Sequence, residues 1–281
     1  MNATALYESG NLQAAIDSQI QEVRSNPADT SKRLFLFDLL AFAGELDRAG
    51  RQIESIHTED IQEQATIASY NRVVAAERTR RAVFEGKAVP KFLMPHPEHV
   101  ELRLQAVAFL ANGQTAEAVE ALAKAAALTP PLKGTLNGVP FELLIDTDDV
   151  FGTVLEVLGN GEYFWVPLEQ VESINLEKPK YPIDILWRPA HLETIGSRGD
   201  VFLPSLYPGS HANADDQIRL ARLTDWVVPE VGPVRGIGVR TYLADDRDVS
   251  LLEWRELVFE VEPPAAEPAE EDSDSTEPAA P

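Results

Sequence analysis

Leu34–Ala49 reads LFLFDLLAFAGELDRA. Every residue from Leu34 to Ala43 is apolar except Asp38. A helix so apolar around its whole circumference must be clamped by neighbours, because a surface helix carries its apolar residues on one stripe. Gly44 permits a tight reversal, and Leu46, Ala49, Ile53 and Ile56 then resume at helical spacing. The stretch predicts a helical hairpin whose first arm is buried.

The hairpin recurs. Thirty-four residues upstream, Gly10-Asn11-Leu12-Gln13-Ala14-Ala15 matches Gly44-Glu45-Leu46-Asp47-Arg48-Ala49 at the glycine, the leucine and the second alanine. Gly113-Gln114-Thr115-Ala116-Glu117-Ala118 repeats the glycine and the alanine, and Pro27 and Pro130 each follow their glycine by 17 residues. This is the tetratricopeptide pattern of paired helices, here in two or three degenerate copies, since the middle position holds Arg78 instead of glycine. The expected class is therefore multidomain α+β. A TPR-like helical repeat domain is expected over residues 1–130, a β-rich domain over 131–261 and an acidic, proline-rich tail over 262–281.

Within the helical part, Leu12, Ala15, Ile16, Ile20 and Val23 form an amphipathic stripe that Asn26-Pro27 ends, and Ser31 is the expected N-cap of the buried helix. One long helix is expected over 59–84, with Ile61, Ala65, Ala68 and Ala75 on one side. A last pair is expected over 98–111 and 115–127. From Pro130-Pro131 onward turn residues multiply. Strands are expected at Tyr163–Val166, Val171–Leu176, Ile183–Trp187, Asp200–Leu206, Gly236–Leu243 and Leu251–Val261, with one short helix at Val150–Leu158. A small barrel would accommodate them. The tail carries five prolines, seven acidic residues and no base, too little apolar content to offset the entropy of ordering, and is expected to be disordered.

The formal charge of −22 would repel phosphate backbones and argues against a nucleic-acid partner. No apolar run approaches the roughly 18 residues of a membrane helix. The start, MNATALYESG, has no leader pattern, and no cysteine is present. A cytoplasmic protein without membrane contact is expected. One local exception is the cluster Arg72, Arg78, Arg80, Arg81, Lys87 and Lys91. It reads either as a solvated helix face or as a docking strip for the acidic second domain or an acidic partner.

Chemistry is sparse. Phe141–Val150, FELLIDTDDV, fits the aspartate loop of haloacid-dehalogenase-type phosphatases, with Asp146 as nucleophile, Asp148 as general acid and Asp245-Asp246 completing a Mg²⁺ site. The surrounding sequence lacks the alternating strand–helix pattern of such enzymes, and the aspartates serve equally as a helix cap. His96 and His99 flank Pro97-Glu98 without a third zinc ligand, and His57, His191 and His211 stand alone. Arg235-Gly236-Ile237-Gly238 is an incomplete phosphate-loop pattern, better read as a strand-edge turn. Three aromatic turns, Trp187–Ala190, Leu206–His211 and Thr224–Trp226, read as core corners or as one recognition surface built from Arg188, Tyr207, Ser210, His211 and Trp226.

An ordered set of motifs carries a resemblance. It comprises the Gly44–Ala49 turn, Asn137-Gly138 with Phe141, Tyr163-Phe164-Trp165-Val166-Pro167, Asp184-Ile185-Leu186-Trp187-Arg188-Pro189-Ala190, Val201–Ser210 and Thr224-Asp225-Trp226. Over roughly residues 5–260 the chain resembles the ImpE/SciE/TagJ accessory proteins of bacterial type VI secretion systems. It departs from their pattern at Ala221 and Val239, where glycine and glutamine are expected. The resemblance implies a cytoplasmic, non-enzymatic adaptor without cofactor. It also implies binding to the N-terminal helix of the contractile sheath's small subunit and action around sheath disassembly by the AAA+ ATPase. Stacked hairpins leave a concave trough suited to such a helix, and Asp38, Glu45, Asp47 and Arg48 near the hairpin turns are the candidate contacts. A Mg²⁺-dependent phosphatase and a repeat scaffold for an unrelated partner are the rival readings.

Overall fold

The computed structural model describes residues 2–260; the stretch 262–281 expected to be disordered lies outside the described residues. The chain opens with helices α1 (Ala3–Glu8), α2 (Leu12–Ser25), α3 (Thr30–Phe42), α4 (Leu46–Glu54), α5 (Ile61–Phe84), α6 (Glu98–Ala111) and α7 (Thr115–Leu128). Four glycines end helices in the same way. Gly10, Gly44, Gly86 and Gly113 have φ of 80°, 76°, 71° and 74°. The next N–H in each case donates to the carbonyl five residues back: Asn11 to Leu6, Glu45 to Leu40, Lys87 to Ala82 and Gln114 to Phe109. These are Schellman closures, which need a left-handed residue and so favour glycine. The closure absent from the 34-residue register is supplied by Gly86, because α5 runs longer than a repeat helix.

Two helical details differ from expectation. Asp29, not Ser31, caps α3: its carboxylate accepts from the Lys32 N–H at 3.2 Å, while the Ser31 hydroxyl donates to that carboxylate. The inward face of α5 is Val73, Val74, Ala76, Glu77, Arg80 and Val83, and Ile61 is 81% exposed. Alanine spacing misled here because the face that packs on the sheet contains two charged residues that only ion pairing can bury.

The strands follow: β1 (Gly134–Leu136), β2 (Val139–Phe141), β3 (Leu144–Asp146), β4 (Val154–Gly159), β5 (Glu162–Pro167) and β6 (Val171–Leu176). After a short helix, α8 (Pro182–Leu186), come β7 (Trp187–Thr194) and β8 (Ser197–Pro204). A further short helix, α9 (Asp216–Arg219), leads to β9 (Thr224–Val227), β10 (Arg235–Gly238), β11 (Thr241–Ala244), β12 (Arg247–Ser250) and β13 (Glu256–Phe259). The main sheet is open, not a barrel: its eight strands run β2-β1-β13-β6-β7-β8-β4-β5. A three-stranded sheet, β12-β11-β3, and the β9–β10 hairpin complete the set. All ladders between these strands are antiparallel.

Four expected strand or helix assignments are corrected. Gly236–Leu243 is not one strand but parts of β10 and β11, which belong to different sheets. Val150–Leu158 is a turn into β4, not a helix. Val154–Leu158 is buried on both faces, so its apolar run is that of a central strand. Ile183–Trp187 is mostly helix α8: Pro182 sits at its first turn and Asp184 accepts from the N–H groups of Lys180 and Tyr181 at 2.9 and 3.0 Å. The expected final strand from Leu251 begins only at Glu256, after a 3₁₀ turn at Leu251–Glu253.

β4 explains how the halves join. Val154 and Leu158 belong to the same core as Phe37, Val73, Val83 and Val100 of the helices, whereas Leu155 and Val157 face a second core with Ile174, Leu192, Tyr242 and Trp254. The helices therefore cover one face of the main sheet and the three-stranded sheet covers the other. No described helix is long and apolar enough to cross a membrane.

Candidate functional site

Asp146 lies in a buried ionic lattice where α5 meets the sheet. Strand alternation places Glu156 on the helix-facing side of β4. Arg80 of α5 donates to its two carboxylate oxygens at 2.7 and 2.9 Å and to the Leu206 carbonyl at 2.7 Å. Tyr163 and Arg240 also donate to Glu156. Arg240 continues to Asp146 at 2.5 Å and lies 4.1 Å from the centre of the Phe151 ring. The Tyr207 hydroxyl donates to the other Asp146 oxygen at 2.9 Å. Burial raises the Glu156 carboxyl, but Arg80 and Arg240 outweigh it and hold it below its usual range. At Asp146 burial wins over Arg240 and pushes the carboxyl up to about 7.

Asp148 is engaged elsewhere. It accepts from Arg235 at 2.8 Å and from the N–H groups of Gly236 and Val150, each at 2.9 Å. The expected aspartate pair is thus divided between two arginines, Arg240 at Asp146 and Arg235 at Asp148. Asp245 is a turn residue with φ 54°, accepting from the Glu142 and Leu143 N–H groups. No group of three or more His, Asp or Glu poised for a metal occurs among the described residues. His99 pairs with Glu169 at 2.5 Å, and His96 stacks on Phe92. Gly236 and Gly238 lie in β10; Tyr207 fills the space a side chain at Gly236 would need.

The nine expected partner contacts scatter. Asp38 is buried between α3 and α8, where burial first and Asp184 second raise its carboxyl well above the usual range. Phe37 beside it contacts Trp187, with ring centres 6.2 Å apart. Glu45 pairs with Arg48, and Asp47 with Arg78, at the surface. Arg188 is fully buried and donates to the carbonyls of Leu252 and Glu177 at 2.9 and 2.7 Å. Ser210 is buried; its hydroxyl donates to the Tyr207 carbonyl and accepts from the Gly238 N–H. His211 packs over Gly44, where burial, with Arg81 adding, lowers its imidazole to about 4. Tyr207 and Trp226 do meet, at 6.0 Å between ring centres, and Trp226 keeps an exposed face. The Asp38 face of α3 is therefore covered by α8, and Gly44 by the Ser210–Ala212 turn, of the same chain. Of the basic strip, Arg80 and Lys91 reach the β-rich part, at Glu156 and Glu162, whereas Arg78, Arg81 and Lys87 pair with acids of the helical part.

Another concavity is left open. A groove of about 660 Å³ runs between α7 and β3, lined by Val119, Leu122, Ala123 and Ala126 on one side and Leu143–Ile145 on the other. Pro130–Leu132 and Gly232-Pro233 also line it, and Val119 and Leu143 remain about two-fifths exposed. The α7 positions recur at helical spacing over two turns; Leu122 is buried in the helical core, whereas Val119, Ala123 and Ala126 stay exposed. Arg103 of α6 forms part of the wall. Sequence reading passed over this site because an alanine-rich helix reads as a core helix; its signal was Val119 and Leu122 next to Pro130-Pro131.

Fold and groove together define an α+β protein with hairpin helices built onto an antiparallel sheet and an apolar cleft at the seam. Comparison with known proteins sharpens this. Residues 138–258 match the model of the ImpE protein family. Over 262 residues the chain is 33% identical to the type VI secretion system accessory component TagJ of Pseudomonas aeruginosa, covering 92% of each chain. A crystal structure of a Vibrio parahaemolyticus protein shares the fold with a TM-score of 0.83 at 20% identity, over 92% of this chain and 98% of that one. The chain belongs to the ImpE family, that of the accessory component TagJ.

Proposed function

We propose that this protein is a non-enzymatic adaptor of the type VI secretion system, working in the cytoplasm. It binds the N-terminal helix of the sheath small subunit and modulates sheath assembly or its disassembly by the AAA+ ATPase. The observation that carries the reading is the uncovered α7–β3 groove. Val119, Leu122, Ala123 and Ala126 present an apolar stripe of the kind that accepts an amphipathic helix. The 33% identity to a type VI accessory component supports the choice of system. Against a phosphatase stand the arginines that occupy the Asp146 and Asp148 carboxylates and, among the described residues, an antiparallel sheet with no strand–helix crossover to form a phosphate cleft.

The test is titration of a fluorescent peptide from the sheath small subunit's N-terminus into the full chain. Saturable binding is expected, with at least tenfold loss in Val119→Glu, which puts a charge on the apolar wall. Failure of the wild type to bind overturns the reading. Equal affinity of Val119→Glu removes the groove as the docking site.

A further inference from the structure

Arg103 stands out among the buried arginines. It is 4% exposed, yet its guanidinium meets no carboxylate in a salt bridge among the described residues. Its donors reach the Asp149 and Val150 carbonyls at 3.0 and 3.2 Å and the Thr129 hydroxyl at 3.4 Å, and Nε has no acceptor. Arg80 and Arg240, equally buried, each bind carboxylates directly. Arg188 also lacks one but lies away from any groove wall, tied to carbonyls. Arg103 alone combines the missing counter-ion with a place on the wall of the α7–β3 groove, beside Thr129 and Asp149. Gly152 makes the position possible: its φ is 54°, and a Cβ there would overlap the guanidinium. Burial holds this arginine below its ordinary value although Asp146, Asp149, Glu169 and Asp148 all pull the other way.

We propose that Arg103 pairs with a single Asp or Glu carried among the apolar residues of the helix that docks in the α7–β3 groove. The inference rests on the docking reading above and names the feature by which the groove selects its helix. A cation removed from water and satisfied only by neutral acceptors gains most from a carboxylate at contact distance, and the apolar lining strengthens their attraction by excluding water. The same surroundings choose the kind of anion. Asp149 at the rim and the overall charge of −22 repel a phosphate chain or other polyanion, whereas one carboxylate on an apolar helix brings a single charge directly to the guanidinium. Apolar stripe and buried cation together therefore specify both the register and the direction of the docked helix, which the stripe alone would leave free to slide.

The experiment is a double-mutant cycle on the full chain. The probe is the sheath small subunit's N-terminal peptide, with each Asp and Glu replaced singly by Asn or Gln and binding read by fluorescence anisotropy. One replacement should weaken binding to the wild type tenfold or more and cause no further loss with Arg103→Met. Arg103→Lys should fall between the two. If every acidic residue can be replaced without loss, or if the loss is the same with Arg103→Met as with the wild type, the inference is overturned. Should Arg103→Met fail to fold, the peptide series against the wild type and Arg103→Lys decides alone. Loss of binding in Val119→Glu without coupling at Arg103 leaves the docking site standing and removes this inference. No effect of Val119→Glu removes both.

Discussion

The helical half shows two contrasting faces. The α3–α5 face is closed by the chain's own sheet, with Phe37 against Trp187, Asp38 buried at α8 and the Arg80–Glu156–Arg240–Asp146 lattice beneath. The α7 face ends in a groove whose wall residues Val119 and Leu143 keep substantial exposure. Both begin from the same glycine-closed hairpin. The closed face contains charges that need exact partners, and those partners lie more than 70 residues away in sequence. The α7 stripe on the open face contains only alanine, valine and leucine, and Arg103 beside it meets no carboxylate in a salt bridge among the described residues. A hairpin array thus commits one side to internal docking through specific ion pairs and leaves the other side open.

The largest expected effect tests the closed face. Arg240→Met removes the arginine that pairs with buried Asp146 and one of the two that pair with Glu156, and should cost about 3–5 kcal/mol by urea unfolding. A loss below about 1 kcal/mol would mean that the lattice is dispensable and the two faces do not differ in kind. Next is Asp38→Asn. The Asp38 carboxyl titrates above its ordinary 3.8 in the folded protein, so the stability it permits is complete below that pH and declines as pH rises through the folded value. The substitution should raise stability at neutral pH by about 1–3 kcal/mol and flatten the curve above pH 4. His211 tilts the curve in the opposite sense. Its folded value of about 4 lies below 6.5, so its contribution is present above 6.5 and is lost as pH falls toward 4. An acid-side slope that survives Asp38→Asn and disappears in His211→Gln would separate the two.

Smaller effects sharpen the account of how the chain ends dock. Asp216 at the start of α9 accepts from the Leu12 N–H of α2 at 2.8 Å, a helix cap supplied from 204 residues away. Asp216→Ala should lower the unfolding midpoint by the equivalent of about 1 kcal/mol. Smallest is Ala221→Gly. Ala221 has φ 56°, and the Arg222 N–H donates to the Gln217 carbonyl, the same closure that glycine makes at residues 10, 44, 86 and 113. Relief of the left-handed strain, less the added entropy of the unfolded chain, should leave a gain of about 0.5 kcal/mol. A loss in the thermal unfolding scan would show that the buried methyl outweighs the backbone strain.

Much of this architecture was legible. Gly10, Gly44 and Gly113 announced their hairpins because only glycine closes a helix in the left-handed region without strain, and the departure noted at Ala221 falls on the same backbone geometry. The family motifs were legible too, yet most of their aromatic and charged residues turn out to serve the interior. Tyr207, Arg188 and Ser210 satisfy buried carbonyls, N–H groups and a carboxylate, roles indistinguishable in sequence from those of a recognition surface. The groove was only faintly legible, in Val119 and Leu122 before Pro130-Pro131, because exposure of one face of an alanine-rich helix depends on what the rest of the chain fails to cover.

Local sequence alone therefore determined where helices begin and stop, through capping residues and glycine, and which class of fold they enter. Tertiary structure decided which helical face is consumed and which remains available. That choice rests on pairings such as Arg80 with Glu156, formed only when β4 presents its acidic side to α5, and no periodicity along the chain encodes a contact of that range.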